Sequence, residues 1–419
     1  MNAMPVALPM IVTLTLGGLG VAQAQSTAAA RAGAAPPQRM VLLVPADDPR
    51  LERSRLERAM PSHPSGPASE AVRMALQDAE PALRQAGVQL QLEVVEVADP
   101  QAIREAIARS SPARTPSAQG SAVTKAAATP VAYIADLDAA GVRAAAEATP
   151  LPVLNIGAAD DELRQAQCRT NLWHLLPSER MRADAIAQAL VARRWTKVLL
   201  LVPQDAREAA RVATAQAAIR RYGLKLVDTR PYKLSADPRE RDLANPRLLT
   251  QGDHDVIWVV DAEGEFSSTL PYRTVLPRPV VGDGGLMAVA WSPKFDRFGA
   301  PQVTRRLGRQ TPGRRMGSHE WGAWMAGKTA VALALSAANA AASGGKPSAE
   351  TMLKVLELDG SKGVAMGFRD WDGQLRQPML LTDGMAVIET VPGDGVMHPR
   401  NRLDTLGADA PEKLCKARG

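Results

Sequence analysis

VAYIADLDAAGVRAAAEATPLPVLNI, residues 131–156, reads as a strand, a helix and a second strand. Val131–Ala135 is a short apolar run, Ala139–Ala148 an Ala-rich helical stretch, and Val153–Ile156 a second apolar run. A strand joined to the next by a helix of about ten residues is the connection that parallel pairing demands. This one unit predicts an α/β fold with a parallel sheet.

Working outward from it, the pattern repeats. Upstream, Met40–Val44 reads as a strand, Ser69–Gln85 as a helix, Val88–Val97 as a strand and Gln101–Ala108 as a helix. A second series then follows. Leu172–Leu176 is expected to open it as a strand, with Ser178 capping a helix over Glu179–Ala192. Lys197–Val202, Leu224–Asp228, Asp255–Val260 and Val280–Val281 are its further strands, with a helix over Arg207–Arg221. Helices return at Pro301–Arg309, Trp321–Ala341 and Ser348–Leu358. FRDWDGQLRQPMLL, residues 368–381, then carries Asp372-Gly373, a hairpin signal. Two α/β series with a late return of helices and strands imply two Rossmann-like lobes. The chain then crosses between them more than once, and a cleft lies at the carboxyl ends of the strands.

The chain has 419 residues, 46% hydrophobic and 22% charged, enough for two cores. Its net charge of +6 comes from 50 Lys and Arg mixed with 44 acids along the whole length. No basic stripe stands out, so no nucleic-acid partner is expected. Residues 1–24 carry no charged side chain and end in Ala22-Gln23-Ala24, which reads as a secretory signal peptide cleaved after Ala24. Residues 25–38 read as a tether, and Ser110–Thr129 as a Ser-, Pro- and Ala-rich surface insertion. The mature protein is therefore expected in an exported, oxidising compartment, the periplasm. There, Cys168 and Cys415 are candidates for a disulfide.

Catalytic chemistry is thin. The five histidines have no metal spacing, and His319-Glu320 fails as HExxH because Ala323 stands in the last position. Gly282-Asp283-Gly284-Gly285 lacks the final glycine of a dinucleotide loop and reads as a tight turn. Neither a cofactor nor a metal is expected, and no enzyme is predicted. Asp136, Asp138, Asp160, Asp205, Asp261, Glu263 and Asp283 sit at predicted strand ends, where helix capping competes with ligand binding as their role. Arg207 could hold an anion. Trp321 and Trp324 share a helix face, and core packing is their default.

The runs LPVLNIGAADDELRQAQCRTNLWHLLPSERMRADAIAQAL (151–190), KVLLLVPQD (197–205), RRYGLKLV (220–227) and GFRDWDGQLRQPMLL (367–381) resemble type I periplasmic binding proteins of the leucine/isoleucine/valine-binding, or receptor-family ligand-binding, group. The resemblance covers nearly all of residues 39–390. GAADDELRQAQC, FSSTLPYRTVLPRPVVG, WDGQLRQP and LDTLGADAPEKLC further resemble ABC transporter substrate-binding proteins that accompany PQQ-dependent alcohol oxidation. This implies a hinged receptor with a multi-strand hinge, acting as a monomer, that closes on a small molecule and presents it to a membrane permease. The expected lobe 1 is 39–171 plus about 302–362, and lobe 2 is 172–301 plus about 363–395, with a tail over 396–419. By position, the resemblance places the ligand loops at Leu137–Ala140 and Ala158–Asp160 in lobe 1. In lobe 2 they fall at Asp205–Arg207, Asp261–Glu263 and Asp283–Gly284, with His319 on the long helix. Asp138, Ala158, Asp160, Asp205, Arg207, Asp261, Glu263, Asp283, His319 and Trp321 are the candidate ligand residues.

Departures from the family pattern also stand out. The carboxylate that grips an amino group is replaced by Gly284, with Asp283 one place earlier. The hydroxyl-rich carboxylate loop is DLDAAG, and two ligand-facing tyrosines correspond to Arg207 and Ala262. The loop after the first strand, PADDPRLERSRLERAMPSHP (45–64), is long and charged. An unpaired ammonium or carboxylate in a closed cleft costs several kcal/mol, about 2–7 for an unbonded polar group and more for an ion. Tight binding of branched-chain amino acids is therefore not expected. A sensor or scaffold that has lost its ligand site is the alternative reading.

Overall fold

The computed structural model describes residues 37–58, 60–61, 63–110, 128–345 and 348–418. The expected signal peptide, most of the tether and residues 111–127 of the expected insertion lie outside the described residues.

The chain opens with β1 (Gln38–Pro45), followed by a loop containing the short helix α1 (Arg53–Arg58). Helices α2 (Ala68–Asp78) and α3 (Glu80–Gln85) replace the single helix expected over Ser69–Gln85. The break falls at Ala79 because Pro81 starts the second helix, where a missing N–H costs nothing. Then come β2 (Leu90–Val97), α4 (Pro100–Ser110), β3 (Thr129–Ala135), α5 (Ala139–Ala148), β4 (Val153–Asn155) and β5 (Leu172–His174). The first sheet has the order β2-β1-β3-β4-β5, all parallel. Its inner strands β1, β3 and β4 are buried on both faces over their centres and read as apolar runs, whereas the edge strand β2 is half-exposed and carries Gln91, Glu93 and Glu96. Met40 and Leu42 point into one core, and Val41 and Leu43 into the other.

The assignment of Leu172–Leu176 to the second series is thus corrected: β5 pairs with β4 and completes the first sheet. The chain crosses only afterwards, into α6 (Glu179–Ala192), which Ser178 caps by accepting from the Met181 N–H. The second sheet follows as β6 (Lys197–Pro203), α7 (Ala209–Arg221), β7 (Lys225–Tyr232), α8 (Pro246–Leu249), β8 (Val256–Val259) and β9 (Val280–Gly282). Its order is β7-β6-β8-β9, again parallel.

After β10 (Met287–Val289) the chain returns to the first core through Ala290, Trp291 and Phe295. There it forms α9 (Ala300–Gln310), α10 (Ser318–Ala342) and α11 (Ala349–Val355). The small pair β11 (Leu358–Asp359) and β12 (Ala365–Met366) precedes the third crossing. Finally β13 (Met379–Thr382) pairs antiparallel with β10 on one side and with β14 (Val387–Val391) on the other, and the pair shares a core with α6. The result is two lobes, each built on a parallel sheet, between which the chain crosses three times.

The Asp372-Gly373 turn forms, with Gly373 at φ 71° and Phe368 bridged to Leu375. It does not sit in the second sheet. The His174 N–H donates to Gly373 O at 2.9 Å and the Leu375 N–H to His174 O at 2.9 Å, so the turn lies along β5 at the crossing. The hairpin that joins the second core is the next pair of strands, β13 and β14.

The carboxyl-terminal residues dock rather than trail. Arg369, fully buried, donates to Asp404 at 2.9 Å and to the carbonyls of Leu403 and Leu406 at 2.9 and 2.6 Å. Asp184 of α6 accepts from the Gly407 N–H at 2.8 Å, and Arg180 pairs with Glu412 at 2.7 Å. Cys168 and Cys415 form a disulfide, closing a sequence separation of 247 residues. The tail thus fastens to the first lobe covalently and to the second through α6. Removing such a crosslink destabilises by about 2–5 kcal/mol. Unreduced, denatured protein should show no titratable thiol, and Cys415→Ser should lower the urea midpoint; an unchanged midpoint would contradict the fastening.

Candidate functional site

The carboxyl ends of both parallel sheets carry charged side chains. In the first lobe Asp136 follows β3 directly and is buried, with 2% exposure. Such a carboxylate needs partners. His319 Nε2 lies 2.8 Å from its Oδ2, and Arg50 donates to Oδ1 at 2.9 Å. Arg50 also binds Asp48 at 2.7 Å. Glu320, buried beside His319, has an oxygen 3.7 Å from His319 Nδ1, within ion-pair range but too long for a hydrogen bond. Its carboxylate accepts from the Ser65 and Gly317 N–H groups at 2.6 and 2.9 Å, and Arg314 lies 3.6 Å away.

Burial opposes the charge on His319, but Asp136 and Glu320 outweigh it and hold the pKa up at about 9. Burial likewise opposes the Asp136 carboxylate, and His319 and Arg50 bring it down to about 2. The cluster is an ion network at neutral pH.

The second lobe presents Arg211 of α7 among three carboxylates: Asp283 at 2.7 Å, Glu208 at 3.0 Å and Glu179 at 3.3 Å. Burial works against the guanidinium, but Glu179, Asp283 and Glu208 more than compensate and hold it firmly protonated. Asp283 also accepts from the Asp261 N–H at 2.8 Å, and Asp261 from the Phe266 and Ser267 N–H groups at 2.9 and 2.8 Å. Burial raises the Asp261 pKa. Glu179, Arg211, Asp283 and Ser318, at the start of α10, line a cavity of about 50 Å³. One water needs roughly 10–15 Å³ and a drug-sized ligand roughly 300 Å³ or more, so this space holds a few waters.

The candidate residues divide sharply. His319 and Asp283 stand in these two clusters, and Asp261 supports the second. Asp138 is exposed and caps α5 through the Gly141 N–H at 2.8 Å. Asp205 likewise accepts from the Arg207 N–H at 2.9 Å. Arg207 has a side chain 85% exposed and turns back onto Asp205 at 2.7 Å, so it does not join the cluster; Arg211, one helical turn on, does. Asp160 is exposed, and its carbonyl accepts from Arg164 at 2.9 Å. Ala158 is buried in a loop held by Asn155 and Arg164. Trp321 is core: fully buried, stacked on Trp291 at 6.1 Å and donating to Gly360 O at 3.0 Å. Its place as a ligand wall is therefore corrected. Glu263 pairs with Arg55 at 2.7 Å, from the loop after β1.

Sequence reasoning missed Arg50, Arg211 and Arg164. Arg211 was detectable as the residue one turn beyond a flagged arginine. Arg50 was hidden in a charged loop with no periodicity. Gly157 lets the two first-lobe loops meet, since a Cβ there would lie 2.2 Å from Leu137 O.

No protein-family model and no curated protein matches the chain. Solved structures resemble it in fold. A branched-chain amino acid ABC transporter ligand-binding protein from Burkholderia xenovorans superposes with TM-score 0.62 at 14% identity, over 84% of this chain and 95% of that one. A periplasmic binding protein from Burkholderia mallei gives 0.61 at 13%, over 91% and 99%. An ABC transporter solute-binding protein from R. palustris, in complex with benzoate, gives 0.59 at 12%, over 84% and 96%.

The His319 imidazolium stabilises the fold in full below the free-histidine value of 6.5, and that contribution is lost as pH rises through about 9. The Asp136 contribution is present above 3.8 and lost as pH falls through about 2. Urea midpoints of wild type and His319→Gln should therefore differ most between pH 3.8 and 6.5, narrow through neutral pH and converge well above pH 9. A difference that does not change with pH would contradict the network.

Proposed function

We propose that this protein is a solute-binding receptor, exported to the periplasm through the amino-terminal signal segment. It acts as a monomer that delivers a small polar organic molecule to the membrane permease of an ABC transporter. The observation that carries this reading is the pair of charged clusters at the strand ends of two lobes, Asp136–His319 buried and Arg211–Asp283 half-buried. A ligand touching both lobes at once favours the closed form by that difference alone. We read the chain as a binder rather than an enzyme because its relatives in fold are solute-binding proteins.

The resemblance of several runs to substrate-binding proteins of PQQ-dependent alcohol oxidation favours an alcohol, an aldehyde, a derived acid or a cofactor-related compound as solute. The benzoate-bound relative adds aromatic acids to the compounds worth testing. A sensor or scaffold of the same fold is the second reading, favoured by the charged loop after β1, which binds residues of both lobes.

A thermal-shift screen against alcohols, aldehydes, short acids, benzoate and amino acids tests the receptor reading. A ligand at a hundred times its Kd stabilises by about 2.7 kcal/mol, which is readily seen. One small-solute class should raise the midpoint, and Asp283→Asn should weaken the shift. Leucine should bind no better than roughly 1 mM, about 4 kcal/mol of binding energy. Micromolar leucine affinity would contradict the site's chemistry, and no response to any class would favour the scaffold.

A further inference from the structure

The segment between β1 and α2 is longer than a strand-to-helix turn needs, and its contacts have a direction. Near its start Arg50 reaches Asp136 at the end of β3. In the middle Arg55 pairs with Glu263 at 2.7 Å, just beyond β8 of the other lobe. Met60 lies against Gly264: a Cβ there would fall 2.3 Å from the methionine Cε. His63 Nε2 lies 3.0 Å from Ala262 O. Near its end the Ser65 N–H donates to Glu320 at 2.6 Å and its hydroxyl to Arg315 O at 2.5 Å, returning the chain to α10. The segment therefore runs from the first lobe to the second and back across the strand ends.

We propose that this segment is an internal occupant of the crevice. Arg50 supplies to Asp136 the cation that an incoming solute would otherwise bring, while Arg55, Met60 and His63 close the same segment onto the second lobe. A free ligand gains no contact to Asp136 until Arg50 is displaced, so the solute best able to compete carries a guanidinium or ammonium group. A neutral alcohol leaves the segment in place. The proposal rests on the receptor reading for its physiological solute, but not for the contact itself.

Chemical rescue tests it. Arg50→Ala should lower the thermal midpoint. Millimolar methylguanidinium should restore it saturably by at least about 2 °C, leaving wild type unmoved. Asp136→Asn in the same background should abolish the rescue. Loss of rescue in R50A, or equal rescue in R50A/D136N, would overturn the proposal. Should R50A fail to fold, Arg55→Ala provides a second test, because its partner Glu263 is exposed. Hydrogen exchange of peptides within residues 46–67 should then accelerate at least about tenfold over wild type. Unchanged exchange would overturn the tie to the second lobe. Rescue with no solute found would sink the receptor reading alone, and solute binding indifferent to R50A would sink the occupant alone.

Discussion

A single buried carboxylate constrains much of what lies around it. Asp136 ends the central strand of its lobe with almost no water around it, so its charge must be matched from within the protein. His319 matches it from the long helix, and Arg50 from the loop after the first strand. The first partner fixes where α10 begins against the sheet. The second anchors the start of the charged loop after β1 over the strand ends. The two lobes are therefore tied to each other by side chains of the chain itself.

The crossings pose a second constraint. Chain segments between lobes bury backbone carbonyls that no sheet satisfies. Here buried polar side chains do it. Arg164 donates to Asp160 O and Leu176 O at 2.9 and 3.1 Å and to Gln374 at 2.8 Å. Gln377 donates to Leu175 O at 2.7 Å. Lys362, whose ammonium burial pushes far below the usual lysine range, donates to Gln377 and Pro378 O at 3.1 Å and lies 3.8 Å from the Trp321 ring centroid. Crossings filled this way allow one lobe to rotate on the other only if these bonds survive it. The docked tail, fixed by Cys168–Cys415, adds a further tie on the same crossing.

The α/β class and the parallel sheets were legible because strands buried on both faces must be continuous apolar runs, as in Met40–Leu43 and Val198–Leu201. Leu172–His174 was misplaced because a strand's sequence says that it is buried, not which sheet it joins. Asp138 and Asp205 were legible as acids at strand ends with capping as one of two readings, and only the local geometry decides for capping. Arg50 could not be found. Its importance arises from a contact across 86 positions, and a loop without periodicity carries no signal for that.

The most direct measurement is the distance between spin labels on exposed positions of the two lobes, such as Glu105 on α4 and Arg220 on α7, in solute-free protein. If the β1–α2 segment holds the lobes together, wild type gives one narrow distance, and Arg50→Ala with Arg55→Ala gives a broad or longer one. A broad, multi-state distribution in the wild type, unchanged by those substitutions, would contradict the account.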